Sequence, residues 1–559
     1  MLMLSGIALT ACSDDTFGPD PEKDWAGTTN VVVSSDEQGF STYFTPAIGR
    51  VGDPMPFYDK KAGNFKVMYL QEYEKNPSFR FHPIWALETT DGASYKQLSE
   101  WLPVGDVDSQ QDAALGTGSC YYNETDKLYY IYYTGHNGSL GIQEAVMRAT
   151  SPDLKTWTKD KLWTLYGKDN GHSSIDFRDP QIFEEGGKYH MIISTRPAAG
   201  GDPYFAVYDS ENMKDWTYAE RVNMLWNRMY ECPDVFKMGD WWYLVFSDAT
   251  KANWARCTKY VKAESWAELK NIFNNAGRLD GEQRKLDSRG FYAGKTAGND
   301  KERFIWGWCP FRSGNTIYEK NVNTGGGDDK EPNWSGALVC HKVQQNGDGS
   351  LTLVEVPAIK AKYSTEAQVK VVKSNGTNDN KTLSGDDAYI QYNRLGTHNH
   401  ISFTVTTSNN WDKFGVSFVQ GDKTVLNPKD YLNEKGEPDF SVVPKDVLDK
   451  VQRSYTIVCN PENEFRRKFN FEEEAFLKFG EETHNVGKGF IEGIDSYEFE
   501  RPENNTYKFD IYTDNSVLVM YVNNIVCYTN RIYGIQKNCW AITNYGGTVT
   551  VSDVKVTQY

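Results

Sequence analysis

The chain has 559 residues, 14% of them aromatic, with 76 Asp and Glu set against 60 Lys and Arg for a net charge of −16. Its length allows several domains, and an acidic balance without basic stretches argues against nucleic acid and anionic membrane surfaces as partners. The nine cysteines are scattered, with no Cys-x-x-Cys and no histidine pair at zinc spacing, so neither a zinc module nor another metal or cofactor is expected. Neutral carbohydrate suits a Trp- and Tyr-rich acidic chain, because aromatic faces stack on the C–H faces of sugars, while most of the rings serve as core.

The first predicted element concerns location. Met1 to Ala11 is apolar, too short to cross a bilayer as a helix, and ends in Leu9-Thr10-Ala11-Cys12. This resembles the lipobox of bacterial lipoproteins, which would make Cys12 the lipid-bearing first residue after cleavage. Ser13-Asp14-Asp15 is similar to the surface-export signals of gut Bacteroidetes lipoproteins. The expectation is a signal peptide over 1–12, a tether over 13–38, and an exported lipoprotein of the outer membrane, cell surface or periplasm that meets the membrane only through its acyl chains.

From residue 39 a hairpin pattern recurs. Asp53-Pro54 leads through Met55 to Tyr58, a turn at Ala62-Gly63-Asn64, and Phe65 to Leu70. Gly118-Ser119-Cys120, Asp179-Pro180, Pro233-Asp234 and Phe291 open four further copies, each with glycine or asparagine at its turn. A spacing of roughly sixty residues between aromatic, β-branched hairpins predicts propeller blades. Two heptapeptides, Ser151-Pro152-Asp153-Leu154-Lys155-Thr156-Trp157 and Ser210-Glu211-Asn212-Met213-Lys214-Asp215-Trp216, fall at matching places and predict outer-strand turns pinned by a buried tryptophan. The turn Asn346-Gly347-Asp348-Gly349 closes this region, predicted as a five-bladed propeller over 39–358.

Beyond it, over 359–559, short alternating strands such as Ile401 to Thr406, Phe414 to Val419, Tyr507 to Tyr512 and Val517 to Val522 predict a β-sandwich. His398-Asn399-His400 reads as an exposed strand or turn, and the charged stretch Glu462 to Glu474 as a solvated insertion.

Three acidic motifs stand at hairpin mouths: Gly52-Asp53-Pro54, Phe177-Arg178-Asp179-Pro180 and Glu231-Cys232-Pro233-Asp234. In a propeller the inner strands of all blades face one axis, so Asp53, Asp179 and Glu231 would line one funnel. Glycosidic cleavage needs one acid for the leaving oxygen and one carboxylate for the anomeric carbon. Register raises a difficulty, since the aspartates immediately precede proline and Glu231 lies two residues before Pro233. A bulge or non-strand conformation at Glu231-Cys232 is required to turn the glutamate inward. Cys232, with no histidine nearby in sequence, reads as packing.

Together with Tyr43-Phe44-Thr45-Pro46, Tyr69-Leu70-Gln71 with Asn76-Pro77, Tyr133-Thr134-Gly135, Phe291-Tyr292-Ala293, Trp306-Gly307-Trp308 and Trp334-Ser335-Gly336-Ala337-Leu338, these motifs resemble glycoside hydrolase family 32. That family comprises fructan-cleaving invertases, levanases and inulinases, and the likeness runs from Tyr43 onward. It implies a five-bladed propeller followed by a sandwich, with Asp53 as nucleophile, Glu231 as acid/base, and Arg178 and Asp179 gripping fructose hydroxyls. Gln71, Trp85 and Ser119 fall where the family binds substrate. The expected reaction is retaining hydrolysis of β-fructofuranosidic bonds in levan, inulin or sucrose, with the working carboxyls about 5 to 5.5 Å apart and the nearby anions Asp53 and Asp179 favouring the protonated acid. The first motif departs from the family, with Gly52, Met55 and Pro56 at positions usually held by asparagine or glycine, and the fifth blade has Gly294-Lys295 for Pro-Gln. Two other readings stay open, a propeller glycosidase acting on another furanoside such as arabinan and a non-catalytic fructan-binding surface protein.

Overall fold

Twenty strands assemble into five antiparallel blades in a computed structural model. The structure describes residues 42–46, 49–72, 82–107, 109–249, 257–312, 332–410, 412–420, 426–444, 447, 453–461, 468–479, 482–487, 499–500, 502–532, 535 and 538–559. The expected signal peptide, Cys12 and tether lie outside these residues. Blade one is β1 (Arg50–Asp59), β2 (Asn64–Glu72), β3 (Ile84–Thr89) and β4 (Lys96–Leu102). Blade two is β5 (Ala114–Asn123), β6 (Leu128–His136), β7 (Glu144–Ser151) and β8 (Thr158–Leu165). Blade three is β9 (His172–Glu185), β10 (Lys188–Pro197), β11 (Tyr204–Ser210) and β12 (Thr217–Asn223). Blade four is β13 (Tyr230–Met238), β14 (Trp241–Asp248), β15 (Cys257–Ala263) and β16 (Arg284–Lys285). Blade five is β17 (Tyr292–Gly298), β18 (Arg303–Arg312), β19 (Pro332–Gln345) and β20 (Leu351–Val354). The ring closes where β1 pairs with β19, Val51 opposite Gly336.

Local chemistry explains the hairpins. Gly186 and Gly187, at φ 61° and 79°, form the two-residue turn between β9 and β10, a left-handed pair that suits the twist of the flanking strands. The outer turns after β7 and β11 are side-chain capped. Ser151 Oγ accepts from Asp153 and Leu154 N–H, Asp153 Oδ1 accepts from Lys155 and Thr156 N–H, and Ser210 and Asn212 repeat the pattern. Trp157 and Trp216 are only half-buried; the pin is the residue with positive φ at each turn, Leu154 or Met213, which is buried. A third copy, at Thr89 to Ser94 of blade one, has the same hydrogen bonds with Gly92 at the left-handed position.

Neighbouring blades pack face to face. Tyr132, Ile193 and Tyr208 bury between blades two and three, and Ile192, Phe205, Leu244 and Phe246 between three and four. The helix Trp266–Phe273, capped by Ser265 Oγ on Glu268 N–H, seats Leu269 and Phe273 in the latter cluster.

The C-terminal part is a sandwich built around one long strand, Cys539–Gln558. Its first half pairs with Phe414–Gln420 and its last half with His398–Thr407, so it passes from one layer to the other across Gly546-Gly547, both at positive φ. Phe403, Phe418, Phe509 and Trp540 fill the space between layers. Asn399 and His400 lie in a strand as expected, but both are buried, His400 stacking on Tyr512 at 4.3 Å and bonding Asp510 at 2.7 Å. The expected insertion is corrected as well: Lys468 to Glu474 belong to strand Lys468–Phe479, paired to Arg453–Pro461, while residues 462–467 lie outside the described set.

Buried polar groups fasten the sandwich to the propeller. Asp514 Oδ2 accepts the N–H groups of Thr42 and Tyr43 at 2.7 and 2.9 Å. Asp287, after blade four, accepts Thr529 N–H at 2.7 Å and lies 3.1 Å from His341 of β19. Arg531, fully buried, donates to the carbonyls of Cys309 and Pro310 and to Ser516 Oγ at 2.7 to 3.0 Å, over the Phe311 ring. Removing it strands three acceptors away from water, at a cost on the order of 3 kcal/mol. Arg531→Met is therefore expected to lower the thermal unfolding midpoint by several degrees, read by calorimetry; an unchanged midpoint would show that the two parts are not held together here.

Candidate active site

Each inner strand carries an irregularity near its start. Register shifts fall between Gly52 and Met55 in β1, Gly116 and Gly118 in β5, Arg178 and Gln181 in β9, Glu231 and Asp234 in β13, and Tyr292 and Lys295 in β17. A bulged residue has no ladder partner, so a proline, which lacks the N–H, is tolerated there. This accounts for Pro54, Pro180 and Pro233. The bulge also resolves the offset. Aligned on the shift, Cys232-Pro233 matches Asp179-Pro180, and Glu231 occupies the rung of Arg178 and Tyr292. Asp179 and Cys232 sit at φ 63° and 52°, with Ala293 at 56° in the fifth strand.

The result is a cavity of about 260 Å³ at one end of the channel. Asp53, Asp179, Glu231 and Arg178 all line it, with Thr117, Glu144, Tyr292 and Trp334. Three expected substrate contacts are placed elsewhere. Gln71 is buried in β2 opposite Val51; Trp85 packs half-buried on β3 beside Tyr69; Ser119 faces the other half of the channel, where its Oγ accepts Ile182 N–H at 3.1 Å.

The carboxyls are held differently. Asp53 receives one neutral donor per oxygen, Thr117 Oγ1 at 2.6 Å and Trp308 Nε1 at 2.9 Å. Glu231 receives Tyr292 O–H at 2.7 Å on one oxygen and the Arg178 guanidinium at 3.2 and 3.3 Å on the other. Asp179, 4% exposed, accepts Cys232 N–H at 2.8 Å, while its own N–H donates to Thr134 Oγ1 at 3.0 Å. Arg178 also meets Glu144 at 2.9 Å and Asp176 at 2.8 Å, and Glu144 takes Phe177 N–H at 2.8 Å. Burial disfavours its charge, yet Glu231, Glu144, Asp179 and Asp176 together keep the guanidinium firmly protonated.

Asp179 is the group displaced upward. Burial raises it from 3.8 to about 7, Glu231 and Asp53 push the same way, and Arg178 and the Cys232 N–H oppose them. Cys232 is buried, as the packing reading expects, and burial raises its thiol too. Glu144, Thr117, Tyr292 and Trp308 were not singled out as site residues by sequence. Aligning Tyr230-Glu231-Cys232-Pro233 on Phe291-Tyr292-Ala293-Gly294 exposes Tyr292; Glu144 comes from a third element, β7, and has no local signal.

Residues 43–343 match the Glycosyl hydrolases family 32 N-terminal domain, and residues 349–434 and 447–556 match the GH32, BT1760-like, C-terminal domain. The sucrose-6-phosphate hydrolase of Zymomonas mobilis is 29% identical over 223 residues, 37% of this chain and 42% of that protein. The levanbiose-producing levanase of Bacillus subtilis is 24% identical over 280 residues, 44% of this chain and 50% of that protein, so the chain spans half or less of the length of these curated relatives. The fold is shared with the β-fructofuranosidase of Bombyx mori, at a TM-score of 0.59 and 16% identity over 93% of each chain. With its acidic cavity inside the matched propeller, the chain belongs to glycosyl hydrolase family 32.

Proposed function

We propose that the protein is a retaining glycoside hydrolase that cleaves β-fructofuranosidic bonds in levan, inulin or sucrose. The observation that carries this reading is the unlike anchoring of two carboxyls in one small cavity, Asp53 by neutral donors and Glu231 by a guanidinium and a phenol. Asp53, aimed through Thr117 and Trp308, attacks the anomeric carbon and forms a glycosyl ester. Glu231 gives its proton to the departing oxygen, then takes one from the water that hydrolyses the ester. Asp179, fixed by the Cys232 N–H, holds sugar hydroxyls beside the charge that develops on the ring, and Arg178 keeps Glu231 in place. The names of the relatives, a sucrose-6-phosphate hydrolase and a levanase, support this substrate class.

Incubation with levan, inulin, sucrose and arabinan, followed by assay of released sugar, tests the proposal. Free fructose is expected from at least one fructan or sucrose, falling about 10³-fold or more in Asp53→Ala and Glu231→Ala, as for other residues that act in the transition state itself. Arabinose release, or hydrolysis that survives both substitutions, would reject it.

Burial, and after it the charges of Glu231 and Asp53, makes the ionised form of Asp179 costly. Its value in the folded chain, about 7, lies above the 3.8 of a free carboxyl, so its share of stability is complete below pH 4 and is lost as pH rises through 7. Asp179→Asn keeps an acceptor for Cys232 N–H and removes the charge. The variant is expected to be inactive yet to unfold about 2 °C higher than the parent at pH 8, the shift of ~1 kcal/mol in a domain of this size, with the gain gone at pH 4. A melting curve displaced equally at both pH values would count against this.

We further propose that Cys12 carries lipid and tethers an exported propeller to a bacterial surface, on the strength of Leu9-Thr10-Ala11-Cys12 and the Ser13-Asp14-Asp15 that follows. Radiolabelled palmitate is expected to enter the full chain expressed in a bacterium and to be absent from Cys12→Ala; equal labelling of both would refute the anchor.

A further inference from the structure

The channel does not end beneath the acidic cavity. The same inner strands line a second cavity of about 400 Å³ with their following residues: Ser119, Gln181, Asp234, Lys295 and Thr296 take over from Thr117, Asp179, Glu231 and Tyr292. Met55, Gly118 and Lys295 form the waist between the two. Gly118 N–H reaches Met55 Sδ at 3.0 Å, and Gly118 carbonyl accepts from Lys295 Nζ at 2.9 Å.

Lys295 is 3% exposed, and that carbonyl is its single hydrogen-bond acceptor among the described residues. An ammonium carries three N–H groups, so two remain. Arg303, on the same wall, donates to Thr296 Oγ1 at 2.7 Å and lies 3.9 Å from the Phe236 ring centroid. Among the described residues neither cation forms an ion pair. The carboxylates of this wall have other partners: Asp234 accepts both Thr296 N–H and O–H, Asp59 accepts Tyr129 O–H, Glu184 accepts Tyr121 O–H, and Glu124 pairs with Lys127. Burial lowers the Arg303 guanidinium to about 10, against the pull of Asp234. Arg303, half-buried, is met by Asp234 through the Thr296 hydroxyl, whereas buried Lys295 meets a single neutral carbonyl, a costly arrangement for a cation. The cavity beside them has room for a small anion that would take up the remaining N–H groups of Lys295.

We propose that this second cavity is a binding site for a small oxyanion of the phosphate, sulfate or carboxylate class, with Lys295 and Arg303 as its counter-charges. It stands apart from the hydrolytic reading, because no residue assigned there contributes to it. The acidic cavity does not offer the same chemistry, since its one guanidinium already meets three carboxylates.

The test is isothermal titration of the full chain with inorganic phosphate, sulfate and acetate at constant ionic strength, chloride serving as the control. One saturable site is expected for at least one of the three, weakened tenfold or more in Lys295→Met and in Arg303→Gln, and unaffected by saturating fructose. The bound anion is also expected to raise the thermal midpoint of the parent and to leave that of Lys295→Met unmoved. Absence of saturable binding by the parent overturns the proposal without recourse to any variant. Binding that survives both substitutions, or that fructose displaces, overturns it equally.

Discussion

The bulge in the inner strands is the constraint on which the candidate site depends. A regular strand would alternate Asp53, Asp179 and Glu231 between the channel and the blade core according to parity, and Glu231 would face away from the other two. Two residues inserted opposite one reset that parity in β1, β9, β13 and β17. The site then draws on two successive rungs, with Asp53, Thr117 and Asp179 from the bulge and Arg178, Glu231 and Tyr292 from the rung before. Left-handed conformations at Asp179 and Cys232 cost on the order of 1–3 kcal/mol each. Part of that cost is offset locally, since the N–H freed at Asp179 binds Thr134 and the one freed at Cys232 binds the Asp179 carboxylate.

Charge follows from that geometry. Four carboxyls, those of Asp179, Glu231, Glu144 and Asp176, gather around a single guanidinium, which bonds Glu231, Glu144 and Asp176 directly, and Asp53 adds its charge beside Asp179. Arg178 therefore acts first as the electrostatic hub of the pocket. The resemblance assigned it to sugar hydroxyls; four of its five N–H groups meet protein acids, and one on Nη2 remains. The least compensated member is Asp179, whose oxygen has a backbone donor and whose displacement toward neutral pH comes from burial and from its acidic neighbours. Marginal stability is being given up at the spot where negative charge is concentrated, as expected where a pocket is shaped for chemistry.

Much of this was legible because propeller blades repeat. Aspartate or cysteine before proline marks the bulge, glycine pairs mark the hairpins, and aromatic runs mark the strands, all local signals that sequence displays directly. The three acids were found by that route, and Arg178 by the family motif that contains Asp179. Gln71, Trp85 and Ser119 followed motif likeness alone, and they face strand neighbours or the other half of the channel. Glu144 lies on β7, two strands away from the channel in its own blade, and reaches the site through a long side chain that no periodicity marks. The burial of Asn399 and His400 was missed for a related reason: their polar atoms are satisfied by Thr513 and Asp510, residues more than a hundred positions away.

Gly52, a departure from the family pattern, is fitted to Trp334 across the ring. A β-carbon built on it would lie 2.4 Å from Trp334 Cη2 and 2.6 Å from Cζ2, closer than real β-carbons approach anything. The indole therefore occupies the volume that an asparagine side chain would need. Behind it the His82 ring packs at 4.6 Å, itself fixed to Glu72 at 2.9 Å, so a continuous wall runs from β2 across to the start of β19. Orienting donors for Asp53 come from other blades, Thr117 of the second and Trp308 of the fifth. Glycine at 52 and tryptophan at 334 are thus one feature, since any side chain at 52 would meet the indole. At this edge the cavity is walled by an aromatic face where the family pattern has an amide.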